Sequence, residues 1–261
     1  MKKIFFLLLF CLPFSVISQI LKKPVPDKLV VLTFDDAPAS HYSVVAPLLQ
    51  EHGFNGTFYV CEFPPNFSDS SKYMNWRQIQ ALDKMGFDVA NHTRTHAHVN
   101  ALDKEEIQAQ LGYIEAKCDS LGIPKPSSFA YPAYDISESC FEVLDEKGYD
   151  FARAGGKRAY APLKDHPYLI PSWAMEEDNK DEIMEALKKA KNGKIVVLTI
   201  HGVPDIEHPW VNTPPALFEE YLDYLSANDY KVISIKDLKE YIDPLAARHT
   251  ITMDMSKSFK N

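Results

Sequence analysis

Seven short apolar runs punctuate the chain: KLVVLTF (28–34), GTFYV (56–60), FDVAN (87–91), SSFAY (127–131), YDFARA (149–154), KIVVLTI (194–200) and YKVISI (230–235). Several are almost continuously apolar rather than alternating, the pattern of strands covered on both faces. Between them the apolar positions step by three or four. Ile107, Leu111, Ile114, Cys118 and Leu121 do so, as do Ile183, Met184, Leu187 and Ala190, and Phe218, Tyr221, Leu222 and Leu225. That spacing draws one apolar stripe along a helix. Glycines in HGF (52–54), MGF (85–87), KGY (147–149) and KNG (191–193) stand where several helices would end. Strand and helix alternating about seven times predict an α/β fold of parallel strands joined by crossover helices. No long linker, low-complexity tract or shift in composition divides residues 19–261, so one domain is expected there. Periodicity alone does not separate an open sheet from a barrel; about seven strands in one domain lean toward a barrel.

The first eighteen residues, MKKIFFLLLFCLPFSVIS, break this alternation. Lys2 and Lys3 precede an apolar stretch from Ile4 to Ile17, and a small residue, Ser18, ends it, as in a signal peptide. A membrane anchor would need a longer run and no Pro13. A lipoprotein site at Cys11 is disfavoured by the bulky Phe10 before it. Residues 1–18 are therefore expected to be removed on export, leaving a periplasmic or secreted protein with no stable membrane insertion. Three cysteines would remain, Cys61, Cys118 and Cys140, enough for one bridge at most, so this is no disulfide scaffold. The formal charge of −8 over 261 residues contains no basic run. Nucleic acid is a poor partner for such a surface.

In α/β folds the chemistry collects at the C-terminal ends of the strands. Here those ends are polar. The first run ends in Asp35-Asp36, the third in NHTRTH with His92 and His96, the fourth in YPAY, and the sixth in His201-Gly202. Adjacent carboxylates repel unless a cation offsets them. His92 and His96, four apart, would share a face if their segment were helical. One carboxylate and two imidazoles give three ligands and an open position, the donor count of a catalytic zinc site. The second carboxylate would then be free to take a proton from an activated water. Both can face the site only because the strand ends there and Pro38 turns the chain. His201, with its near-neutral pKa range, is a candidate general acid. His98 is expected to be structural or solvated.

These stretches resemble the polysaccharide deacetylases with a NodB-homology domain, the metal-dependent carbohydrate esterases of family four. TFDDAP is similar to the family's TFDDGP, with Ala37 in place of glycine. HTRTH resembles its H-[ST]-x-x-H, FAYPAYD its FxYPYG form, and LTIHG its last motif. The resemblance covers roughly residues 28 to 235 and implies a distorted (β/α) barrel of about seven parallel strands. It implies that Asp35 is the base and His201 the acid, with Asp36, His92 and His96 holding a divalent metal, zinc first and cobalt, manganese or nickel next. It places the oxyanion against a backbone N–H just after Pro132, near Ala133 or Tyr134, with Pro132 and Tyr134 at the substrate.

The chain departs from the family in three places. Ala130 stands where many members carry an arginine that braces the catalytic Asp. Arg153, at the end of the next strand, offers a substitute, although a solvated arginine is the commoner outcome. The third motif reads PAYD rather than PYG, so its loop is expected to differ. In the blurred fourth motif, PSWAMEED (171–178), Trp173 is expected to wall the sugar groove and Asp178 to tune His201. The implied substrate is an N- or O-acetylated polysaccharide or oligosaccharide. Two other classes stay open: a hydrolase of a non-sugar amide, and a carbohydrate-binding protein that keeps the fold without the chemistry. Export and the aromatics Trp76, Tyr134, Trp173 and Trp210 favour the glycan.

Overall fold

The computed structural model describes residues 19–255; the expected signal peptide lies outside the described residues. All seven anticipated runs form strands: β1 (Leu29–Phe34), β2 (Thr57–Val60), β3 (Asp88–Asn91), β4 (Ser128–Ala130), β5 (Phe151–Arg153), β7 (Val196–Ile200) and β8 (Lys231–Ile233). An eighth, β6 (Trp173–Ala174), falls in the PSWAMEED segment, where no strand is anticipated. It is too short for periodicity to reveal. Every strand pairing in the sheet is parallel, in the order β5-β4-β3-β2-β1-β7-β6. Along one side of β1 lies β7; along the other, β8 covers Leu29–Val31 and β2 takes over at Thr33 and Phe34.

The sheet curls until its edges meet. The chain between β5 and β6 joins them. Its Ile170 bridges Arg153, and Ala152 and Ala154 donate backbone hydrogen bonds to Pro167 and Ile170, both at 2.8 Å. Three residues further on, the same segment lies beside β7 as β6. The result is the distorted (β/α) barrel expected of the family, closed by a short seam.

Residue parity divides the strands. Val30, Leu32 and Phe34 face outward and pack with Leu49, Ile79, Leu82, Ile183, Leu187, Phe218 and Leu222 of the surrounding helices. Leu29, Val31, Tyr59, Phe151, Ile195 and Val197 face inward with Ile233 and fill the barrel. The helices are α1 (Ala46–Glu51), α2 (Trp76–Lys84), α3 (Lys104–Ser120), α4 (Glu138–Lys147), α5 (Lys180–Leu187), α6 (Pro215–Ala227) and α7 (Pro244–Thr250). Their ends follow from local chemistry. Asp103 accepts from the Glu106 N–H while the Glu106 carboxylate accepts from Asp103, a reciprocal cap on α3. Gly148 ends α4 at φ 72°, in the left-handed region a glycine enters without strain. Cys61, Cys118 and Cys140 are all buried and free. Among the described residues no helix is long and apolar enough to cross a membrane.

Continuing the inward parity of β1 brings the chain to Asp35. The inward series of β5 ends at Arg153, and that of β7 at Thr199 and His201. Low down, the interior is mixed, with Thr57, Asp88 and Ser128 buried beside Leu29, Val31 and Tyr59, and Thr57 donating to Asp88 at 2.9 Å; the carboxylate pair and the histidines gather at the C-terminal mouth.

The outer layer is tightest where β1 meets β2. A Cβ on Gly56 would lie 2.8 Å from Phe34 Cε2, and Phe34 is itself stacked on Phe58 at 4.9 Å. Gly56→Ala should therefore destabilise the protein by about 1–3 kcal/mol through overpacking, read as a lower denaturation midpoint at unchanged slope.

Candidate metal centre and active site

Two consecutive residues in the left-handed region, Asp36 (φ 71°) and Ala37 (φ 56°), bring both carboxylates to the barrel mouth. This corrects the expectation that Pro38 makes the turn: Pro38 instead bridges Tyr73. It also explains the family's glycine at the position of Ala37, since left-handed geometry costs an L-residue about 1–2 kcal/mol. Asp35 and Asp36 are 3% and 4% exposed.

The histidine pair is not on a helix either. Residues 92–96 form a loop in which Thr93 (φ 61°) and His96 (φ 53°) are left-handed. Asn91 fixes its start. Its side chain accepts from the Thr93 N–H and donates to the Leu111 carbonyl and the Tyr149 hydroxyl. Gln110 of α3 accepts from the Arg94 and Thr95 amides, and Thr93 Oγ1 accepts from Ala97. The imidazole centroids end 4.9 Å apart. Spacing suggested the pairing; loop bonds achieve it.

Asp36 Oδ1 lies 3.3 Å from His92 Nε2 and 3.4 Å from His96 Nε2. One ligand atom from each residue falls within 4.8 Å of the others. His92 Nδ1 donates to the Ala130 carbonyl at 2.9 Å, which turns the Nε2 lone pair of the neutral ring toward Asp36. Asp36 Oδ1 is buried and takes no proper hydrogen bond. Lone pairs of an oxygen and a nitrogen facing one another repel, and a divalent cation between them resolves this. The donor set fits such an ion. Burial opposes the Asp36 charge, but His96, His92 and His201 outweigh it and hold the carboxyl well below the usual range. Burial likewise opposes a charge on His92, yet Asp35 and Asp36 raise its pKa. Burial pushes His96 down to about 4 despite Asp36.

Asp35 stands apart from this cluster. Its Oδ2 accepts from Arg153 at 2.5 Å, and its Oδ1 is buried without a partner. Arg153 is fully buried, not solvated. The register explains why: Ala130 pairs with Arg153, and both face inward, so a guanidinium from β5 reaches the position that an arginine at 130 would serve. It also donates to Thr199 Oγ1 at 2.8 Å and lies over Tyr59 and Tyr134. His201 Nε2 approaches Asp36 Oδ2 at 3.9 Å.

Asp35, Asp36, His92, His96 and His201 line one cavity of about 420 Å³, together with Ala133, Tyr134, Lys157, Glu176 and Trp210. Two expectations fail here. Trp173 does not wall the cavity; it is 2% exposed and packs in the outer core, because Ser172 and Ala174 on either side take the inward positions. Asp178 is exposed and off the cavity; Glu176 takes the place toward His201. Burial, with Asp178 nearby, raises the Glu176 pKa, opposed by His201 and Lys157. Trp76 is also elsewhere, its indole donating to Glu62. Pro132 is buried, while Ala133 and Tyr134, both left-handed, reach the cavity wall. The Tyr134 amide donates to the Tyr131 carbonyl at 3.0 Å.

Some lining residues carried no sequence signal. Phe63 packs at a tilt against both His96 and His208, at 4.9 and 4.7 Å, from a loop without periodicity. The loop after His201 divides its work. His208, Trp210 and Val211 line the cavity, whereas Thr213 ties back to Gly202 and Met175 and leads into α6. His98 bonds Asp135 at 2.9 Å and is half exposed.

Carboxylates and histidines gathered at the mouth of an α/β barrel make a potential metal site of Asp36, His92 and His96. The chain belongs to the polysaccharide deacetylase family, whose pattern matches residues 22–152. It is 26% identical over 123 residues to a chitin deacetylase of Pestalotiopsis sp, covering 47% of this chain and 40% of that protein. The matches span less than half the length of each such curated relative. Among solved structures, the Xyl-CE4 domain of a multidomain xylanase from the hindgut metagenome of Trinervitermes trinervoides superposes with a TM-score of 0.59 at 20% identity. That match covers 82% of this chain and 90% of that one. A CE4 family pseudoenzyme from Bacillus anthracis gives 0.57 at 18%, covering 82% and 66%.

The buried ion pair makes a clear test. Arg153→Met would leave Asp35 charged, buried and unpaired, and should destabilise the protein by about 3–5 kcal/mol at neutral pH. Arg153→Met with Asp35→Asn should recover much of that loss, as denaturant melts of the single and double variants would show.

Proposed function

We propose that this chain is an exported, divalent-metal-dependent deacetylase that removes N- or O-acetyl groups from a polysaccharide or oligosaccharide. The observation that carries the reading is the division of labour between adjacent carboxylates. Asp36 is surrounded by imidazoles, as a metal ligand would be, while Asp35 is braced by Arg153 with one oxygen left without a partner.

Asp36, His92 and His96 would hold the metal, with zinc suited to two imidazoles and a carboxylate. Bound there, the ion would polarise the acetyl carbonyl and make a water nucleophilic. Asp35 Oδ1 accepts the proton of that water as its oxygen bonds to the acetyl carbon. Arg153 holds Oδ2 and so aims Oδ1 into the cavity. The Ala133 amide donates to the oxygen that becomes negative. His201 Nε2 gives its proton to the leaving nitrogen as the carbon–nitrogen bond breaks, releasing acetate and a free amine. An amine leaves poorly without that proton, so His201 matters more for N-acetyl than for O-acetyl substrates.

A family fold does not by itself guarantee turnover, so direct assay decides. The chain without residues 1–18 should release acetate from acetylated glycans, stop with chelator and restart with zinc or cobalt. His96→Ala should lose bound metal and activity together. Asp35→Asn should keep stoichiometric metal and lose about 100-fold or more in rate, the scale of a positioned base. Metal retained in His96→Ala, or metal lost in Asp35→Asn, would reverse the assignments. Acetate released only from small non-sugar amides would identify the other hydrolase class.

A further inference from the structure

The proposed acid has an unusual weakness: among the described residues no hydrogen bond holds its ring. His201 Nδ1 is buried without a partner, and Nε2 is 3.9 Å from Asp36, beyond hydrogen-bond reach. Its orientation must therefore be set by its backbone. That backbone is gripped from the loop that follows β1. His41 Nε2 meets the His201 carbonyl at 2.9 Å, and Ser40 Oγ accepts from the Val203 N–H at 2.9 Å. We infer that Ser40 and His41 form a two-point clamp on residues 201–203 and are positioning residues for His201. The inference rests on the reading of His201 as the acid.

His41 is built for this task. It is fully buried, edge-on to Phe34 and Phe58 with centroids 5.5 Å away from each. A carbonyl accepts only, so Nε2 carries the proton and donates, and the ring is locked in one tautomer. Burial holds its pKa down to about 4, in keeping with a neutral donor. It opens a five-residue π-helical turn, His41–Val45, a local widening of the helix that is frequent at functional sites. The clamped loop is otherwise tight. Asp205 accepts from the Gly202 N–H, and Thr213 donates to the Gly202 carbonyl. The Asp35 amide donates to Ile200 at 2.9 Å. One short stretch, 35–41, thus supplies the base, a metal ligand and the grip on the acid. A shift in that stretch would move all three together.

The test compares His41→Leu, His41→Gln and Ser40→Ala in the otherwise intact, zinc-loaded protein on an N-acetylglucosamine oligomer. His41→Leu removes the donor, whereas the Gln amide restores one near the same place. Misplacing a catalytic group by an ångström or less costs roughly ten- to a hundredfold. That loss is expected in kcat for His41→Leu, with KM and bound zinc nearly unchanged and with substantial recovery in His41→Gln. Ser40→Ala should fold normally, show faster hydrogen exchange at the Val203 amide and a smaller fall in kcat. Equal kcat in the Leu and Gln variants would mean a packing role only and overturn the proposal. So would wild-type kcat and exchange in Ser40→Ala. If His41→Leu fails to fold, the other two variants decide by the same measures. If the wild type releases no acetate from any glycan, the acid reading fails. The clamp is then judged by the His201 imidazole nitrogen resonances, which must move in Ser40→Ala, and less in His41→Gln than in His41→Leu, if it exists.

Discussion

The site depends on one buried ion pair. Asp35 and Asp36 are neighbours in sequence, and two carboxylates buried together at the barrel mouth would repel strongly in a medium that screens little. Arg153 offsets one charge, and three histidines surround the other. Opposite solutions for adjacent, chemically identical groups let them differ in function. The paired carboxylate keeps a fixed direction, and the other remains available to a cation. A buried pair of this kind is weak evidence for added stability. Its value lies in fixing geometry.

The same interior shows how a barrel separates folding from chemistry. Outward positions of the strands are almost wholly apolar and hold the helices; inward positions mix apolar and polar residues, and at the mouth they carry Asp35, Arg153 and His201. Function therefore occupies only the final inward residue of each strand and the loop beyond it. The loops bear the strain, with left-handed residues at Asp36, Ala37, Thr93, His96, Ala133 and Tyr134. Six residues outside the usual backbone regions around one cavity mark where sequence has been spent on placement rather than on stability.

Much of this was legible in the sequence. Seven strands announce themselves because long apolar runs such as VVLTF and IVVLTI have no other comfortable fate. Asp35, Asp36, His92, His96 and His201 stand out because each interrupts such a run at the same relative place. What escaped notice depends on parity or on loop conformation. Trp173 looked like a groove wall until β6, only two residues long, set it facing outward. Arg153 looked solvated because the register that aligns it with Ala130 is a property of paired strands, not of either segment. His41 carries no signal in the sequence, because a histidine after a turn resembles many surface histidines; only burial and its bond to His201 distinguish it. Phe63 and Glu176 lie in irregular segments, where no period exists to read.

The seam that closes the barrel has one more consequence. Arg153 is both the brace of Asp35 and the residue whose backbone bridges Ile170, so the joint and the charge share one residue. The girth of the barrel thereby becomes a chemical variable. A looser joint would draw the guanidinium away from β1, and a tighter one would press it inward, with no change in any group that touches substrate. Sequence drift in the 167–172 segment, remote from the cavity and outwardly concerned with packing, is thus drift in how firmly Asp35 is held.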